Sequence, residues 1–139
     1  MTELIRQDTE YAMRVLVYLA VSGKQKPVAA RELARNRDIP EDFIYKILRK
    51  LTKAGLTASE LGYHGGFRLA NGPGEITLWK VINAIQGPVT IKKCCLDTAA
   101  CSKTSVCEFL PKLIELQNSL TKSLDAITLA DVMKQESNI

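Results

Sequence analysis

Histidine and tryptophan occur once each in this chain, and cysteine is missing outside one short window near residue 100. With His64 as the only histidine, no Ser/His/Asp or Cys/His constellation can be assembled economically. Neither a GxxxxGK loop nor a GxGxxG run is present. Enzymatic activity is therefore not expected. Long apolar runs are also missing: the longest, Tyr11 to Val21, covers about half a membrane span and contains Arg14. A secretory leader needs a basic start, whereas this N-terminus carries Glu3, Asp8 and Glu10. These absences point to a cytoplasmic protein with no membrane partner. A length of 139 residues supports one well-cored domain, and 46% hydrophobic against 24% charged residues is an ordinary globular balance.

The net charge is only +4, yet it is unevenly placed. Residues 1–70 hold 12 Lys/Arg against 8 Asp/Glu, and residues 71–139 hold 7 against 7. The whole excess lies in the N-terminal half, which favours a polyanionic partner for that half, although a solvated helix face produces the same count.

Helical periodicity and breakers organise that half. Residues 8–21 are apolar nearly all round, as in a helix buried on most faces, and Ser22-Gly23 and Pro27 stop it. A short second helix over 29–36 turns Leu33 and Ala34 inward and Arg31, Arg35 and Arg37 outward. After the turn Asp38-Ile39-Pro40, a third helix over 41–54 places Ile44, Ile47, Leu48 and Leu51 at core spacing, with Gly55 as its stop. Two extended segments, 56–61 and 66–69, flank Gly62-Tyr63-His64-Gly65 and predict a hairpin. Thr77 then caps a helix to Gln86, with Trp79, Val81, Ile82 and Ile85 available for the core, and Gly87-Pro88 ends it.

Three helices followed by a glycine-turned hairpin make a winged helix-turn-helix, whose third helix enters the major groove. That helix's outer stripe carries Asp42, Tyr45, Lys46, Arg49 and Lys53 at spacings of three and four. Arg and Lys reach phosphates or guanine edges, and Tyr45 can contact a base or the backbone. His64 on the wing turn suits DNA contact or plain exposure better than catalysis.

Cys94, Cys95, Cys101 and Cys107 all fall between residues 94 and 107, in a stretch with little periodicity that needs a cross-link or an ion to order itself. In a cytosolic protein such a cluster indicates metal binding or redox chemistry. The spacing Cys95-x5-Cys101-x5-Cys107 is too wide for the usual zinc knuckle, whereas several soft thiolates on a long loop suit an iron–sulfur cluster. Partly buried thiols and a redox disulfide remain open alternatives.

A last long helix is expected from about Glu108, with Pro111 in its first turn. Phe109, Leu113, Leu116, Leu120, Leu124 and Ile127 run near a heptad seam, beside a second row at Leu110 and Ile114. This two-sided helix calls for a partner, hence a homodimer. Ile127-Thr128-Leu129 echoes Ile76-Thr77-Leu78 as a second Thr-capped helix start. The expected fold is mainly α with a small β-hairpin. Its parts are a winged helix-turn-helix DNA-binding domain over 1–87, a cysteine-rich cluster-binding loop over 88–107, and a dimerisation helix and tail over 108–139.

Tyr11-Ala12, Ile39-Pro40, Gly65-Gly66-Phe67-Arg68-Leu69-Ala70, Ile76-Thr77-Leu78 and the triple C-x5-C-x5-C together resemble the Rrf-two superfamily of dimeric winged-helix transcription regulators. The resemblance runs over about residues 1–135. It implies a 2Fe–2S cluster, in preference to 4Fe–4S, on Cys95, Cys101 and Cys107, with Cys94 matching no family ligand. IscR-like members place a histidine three residues after the last cysteine, where this chain has Leu110. NsrR-like members use an acidic residue on the partner subunit's first helix, which aligns with Glu10; Asp8 is the weaker candidate, and charge complementarity at a helix start explains Glu10 equally simply. The family's wing arginine is replaced by Leu61, leaving Arg68 or His64 to substitute. The implied function is a repressor or activator whose affinity for a roughly palindromic double-stranded operator, with half-sites ~34–36 Å apart, responds to cluster loss, oxidation or nitrosylation. A thiol–disulfide regulator of the same fold, and a metal-carrying interaction protein with no DNA role, are the rival readings.

Overall fold

The computed structural model describes residues 1–22, 26–97 and 107–136, the last two by backbone alone. These residues form α1 (Gln7–Ser22), α2 (Ala30–Asn36), α3 (Glu41–Lys53), β1 (Thr57–Glu60), β2 (Gly66–Leu69), α4 (Leu78–Ile85), α5 (Leu110–Ala126) and α6 (Leu129–Glu136). Two short 3-10 turns, Pro73–Glu75 and Lys93–Cys95, lie between the helices. None of the described helices is long and apolar enough to cross a membrane.

The near-continuous apolar character of α1 puts it at the centre, touching α3, α4, α6 and β2. Ala12, Val15, Leu16 and Leu19 of α1 meet Leu33, Ile44, Leu48, Leu51 and Val81 in one buried cluster. Helix ends follow local chemistry. Behind α3, Gly55 adopts φ 79°, and the amide of Leu56 donates to the Leu51 carbonyl at 3.0 Å. Behind α2 the same closure uses Asp38 at φ 52°, with the Ile39 amide 2.9 Å from the Ala34 carbonyl. This turn redirects Arg37. Expected to face outward, it lays its guanidinium 5.1 Å from the Tyr18 ring centroid, where aromatic charge distribution attracts a cation. Trp79 is half-buried beside an open groove with Ala54, Leu56 and Lys80, whereas Val81, Ile82 and Ile85 reach the core as expected.

The hairpin pairs Thr57 with Leu69 through Glu60 with Gly66, antiparallel. Val28 bridges the other edge of β2: its amide donates to Phe67 O at 2.9 Å, and the Phe67 amide donates back at 2.8 Å. This brings Gly66 so close to the Val28 backbone that an added Cβ would lie 2.5 Å from Val28 O. Backbone cannot rotate away as a side chain tip can. Gly66→Ala is therefore expected to cost about 1–3 kcal/mol by thermal melting, in the range of overpacking penalties, while leaving helical circular dichroism unchanged.

The two Ile-Thr-Leu segments meet each other. Leu78 N donates to Ile127 O and Leu129 N to Ile76 O, both at 2.8 Å, forming an isolated antiparallel bridge at Thr77 and Thr128. Thr77 Oγ1 also accepts from Lys80 N at 3.2 Å, while Thr128 and Asp131 cap α6 reciprocally at 3.2 and 3.0 Å. The bridge returns α6 to the core, where Leu129 is fully buried. On α5, Leu110 and Gln117 are the buried residues. Phe109 and Ile127, placed in the seam by spacing, flank this helix as its caps rather than continuing it.

Candidate nucleic-acid interface and cysteine segment

Helix α3 is amphipathic in the simplest sense. Ile44, Ile47, Leu48 and Leu51 are buried, while Asp42, Tyr45, Lys46, Arg49 and Lys53 are all exposed on the other side. Acidic Glu41 and Asp42 open the helix, and Lys50 and Lys53 close it, matching the helix dipole at both ends. Lys50 also joins two helices, because its Nζ donates at 2.9 Å to the carbonyl of Ile85, the last residue of α4. With Asp8, Phe43, Lys46, Ile47 and Ile85 it lines a small crevice between α3, α4 and the start of α1.

The start of α1 is held by Gln86. Its Oε1 accepts from the Arg6 amide at 3.0 Å and from buried Thr9 Oγ1 at 2.7 Å, and its Nε2 donates to Leu4 O at 2.9 Å. Asp8 pairs with Arg6 at 2.5 Å and accepts from the Thr9 amide at 3.0 Å. Partial burial pushes the Asp8 carboxyl up, but the bonds and charge of Arg6, the Thr9 amide and the nearby Lys50 outweigh it and hold the carboxyl below its ordinary value.

The wing is tied to α3 by Thr52 Oγ1 against Thr57 Oγ1 at 2.8 Å and by Asn71 Nδ2 donating to Gly55 O at 3.1 Å. Its tip is a turn closed by the Gly65 amide on Gly62 O at 3.0 Å. His64 is exposed there and meets the Tyr63 ring edge-on at 5.0 Å. Arg68 lies lower on β2, half-buried, with Nε 2.8 Å from the Glu60 carboxylate across the hairpin.

Of the cysteines, Cys94 is buried, while Cys95 and Cys107 are half-buried. Cys101, expected as the central ligand, lies outside the described residues. Cys94 and Cys95 share a 3-10 turn, where successive side chains diverge: Cys94 turns inward and Cys95 stays half-buried, while Lys92 and Lys93 are exposed. Sulfur is the soft donor that iron–sulfur clusters take, and both Cys95 and Cys107 are free and only half-buried, so their donor chemistry fits such a cluster. Leu110 is buried, and Glu10 is exposed on α1 with its carboxylate 2.6 Å from Arg14. Among the described residues no group of three His, Cys, Asp or Glu is placed to hold a metal ion.

Gln117 is a buried polar residue that core and seam spacing does not single out. Fully buried on α5, it accepts from the Ile91 amide at 2.8 Å and donates to Val89 O at 3.0 Å, clamping the chain just ahead of the cysteines. A signal is present in the sequence: Leu110, Ile114, Gln117 and Thr121 continue one helical row, so Gln117 is a polar residue in an apolar line. Lys50 carries no such signal, since its role depends on a carbonyl remote in sequence.

A model of the Rrf2 family, described as an iron-dependent transcriptional regulator, matches residues 5–135. The protein named rrf2 of Nitratidesulfovibrio vulgaris is 30% identical, over 93% of this chain and 86% of its own length. The transcriptional regulator NsrR of Geobacillus kaustophilus is 30% identical, over 94% of this chain and 90% of its own. In fold, the chain superposes on CymR, the global cysteine regulator of B. subtilis, with a TM-score of 0.74 at 21% identity, covering 97% of this chain and 98% of CymR.

Proposed function

This chain belongs to the Rrf2 family of winged-helix, DNA-binding transcriptional regulators, and from that premise we propose a homodimer whose operator affinity is set by an iron–sulfur cluster on Cys95, Cys101 and Cys107. In this reading the DNA-binding domain spans 1–87, the cysteine loop 88–107, and the dimerisation helix and tail 108–139. Lys46, Arg49 and Lys53 carry charge to the DNA backbone and base edges, Asp42 and Tyr45 shape selectivity, and His64 and Arg68 approach from the wing. Dimerisation is supported by the apolar stripe of α5, where Leu116 is 56% exposed and Leu113, Leu120 and Leu124 are only half-covered.

The observation that carries the switch is the anchoring of the chain between α4 and the cysteines. Lys50 of α3 holds Ile85 O, Gln86 holds the start of α1, and Gln117 of α5 holds Val89 and Ile91. One short stretch is thereby bonded to the DNA-facing helix, the N-terminus and the dimer helix together. Ordering or releasing the cysteine segment shifts α5 relative to α3, and so the separation of the two DNA-facing helices in the dimer. When bound, the cluster supplies a redox- and nitric-oxide-reactive cross-link for that segment. Glu10 of the partner subunit, ion-paired here with Arg14, would be the fourth donor, and a single carboxylate would leave the assembly easy to open.

The test is a visible spectrum with iron and sulfide analysis on protein purified without oxygen. Broad visible absorption with matching iron and sulfide, lost in Cys95→Ala, Cys101→Ala and Cys107→Ala and weakened in Glu10→Ala, is expected. Colourless, iron-free protein after anaerobic reconstitution would overturn the cluster. Dithiol-reversible DNA binding in that protein would assign the control to a thiol–disulfide pair.

A further inference from the structure

Apart from Met1 at the chain start, the wing tip carries the most exposed large apolar side chains among the described residues. Leu61 is 99% exposed and Tyr63 97% exposed, on either side of Gly62. One exposed apolar side chain is ordinary, but two of this size at the same turn gain nothing from the monomer. The tip is not loose. The Gly62–Gly65 turn bond closes it, Gly65 lies so close to the Glu60 backbone that a Cβ would overlap it, and Val28 braces the strand behind. The hairpin's four-residue strands span about 13 Å at ~3.3 Å per residue, and the Thr52–Thr57 and Asn71–Gly55 bonds root it at the end of α3, the helix that carries Lys46, Arg49 and Lys53.

Charge is absent where it would be most useful. No Lys or Arg occurs from Leu61 through Phe67, and Arg68, further down the strand, is paired with Glu60 at 2.8 Å. A tip of this kind cannot read minor-groove acceptors as a guanidinium does. Apolar side chains act on DNA in another way: they enter between base steps, part the stack and bend the duplex.

We propose that Leu61 and Tyr63 form an apolar wedge that enters the minor groove beside the site of α3, so that the wing selects a deformable base step rather than a base edge. The inference rests on the DNA-binding reading above and adds to it the means of wing recognition. His64, packed edge-on against Tyr63, stiffens the wedge. Pyrimidine–purine steps, TA and CA/TG, part most readily and are the preferred targets, whereas stiff A-tracts are disfavoured.

The test is selection from a random-sequence duplex pool by the full-length, anaerobically prepared protein, followed by anisotropy titrations with Leu61→Ala, Tyr63→Ala and the double variant. Both positions are surface, so folding is not at stake. Each single variant is expected to lose about tenfold in affinity, the order set by burying one large apolar side chain. The slope of log affinity against log salt should not change, because no phosphate contact is removed. A 2-aminopurine placed at the selected flanking step should brighten with the unaltered protein and stay quenched with the double variant. Equal affinity and equal flanking preference for all four proteins would overturn the wedge while leaving DNA binding intact. Failure of the unaltered protein to retain any duplex would instead remove the DNA-binding reading, and the wedge with it.

Discussion

Alanine at both Lys46 and Arg49 is expected to remove nearly all sequence-selective DNA affinity, a drop on the order of a hundredfold or more at constant salt. Both side chains are exposed on the outer stripe of α3, three residues apart, so they face the same way from a helix whose other side is locked into the core. Each base-edge interaction is worth about 1–3 kcal/mol, and each phosphate left without its cation lowers the salt slope by about 0.9. Stability should move by no more than about 0.5 kcal/mol, as for surface positions generally. Lys50→Ala supplies the contrast. That side chain satisfies the terminal carbonyl of α4, so its removal should lower the melting temperature as well as loosen the crevice at Asp8. Titration by anisotropy across a salt series distinguishes these cases. If the double variant kept both affinity and salt slope while remaining folded, α3 would not be the DNA-facing helix.

Gln117→Leu is expected to cost about 3 kcal/mol or more, because it strands two backbone groups together: the Val89 carbonyl and the Ile91 amide. For a domain of this size that corresponds to a fall in melting temperature of roughly 10 °C. Gln117→Glu sharpens the case. It keeps an acceptor for the Ile91 amide but turns an acceptor toward Val89 O, so it should also destabilise and should do so more as its carboxyl ionises. In both variants the ratio of operator affinities with and without cluster should approach one, since α5 no longer grips the segment leading into the cysteines. Unchanged melting with an unchanged ratio would show that the signal does not pass through Gln117.

Most of the helices are legible from residues that act on near neighbours. The inward residues of α3 follow from spacing, its end from Gly55, and the start of α4 from the Thr77 hydroxyl. The hairpin follows from its glycines, although the reason Gly66 is needed is the Val28 backbone, far back in the chain. A helical wheel assigns Arg37 to solvent, while the left-handed Asp38 turn returns it to Tyr18. Arg68 looks like an unpaired wing cation in the sequence because its partner, Glu60, is identified only by the strand register.

By itself, the sequence determined which segments are helical, where they stop, that the cationic excess lies in the N-terminal half, and that three of the cysteines stand at regular spacing. These are consequences of periods and caps, and their partners lie within a few residues. Only the tertiary structure decided what connects those parts. Gln117 meets Ile91 across 26 residues, Lys50 meets Ile85 across 35, and Thr9 meets Gln86 across 77. Buried polar groups must find partners wherever packing brings them, and that choice depends on how the helices stack rather than on any local pattern.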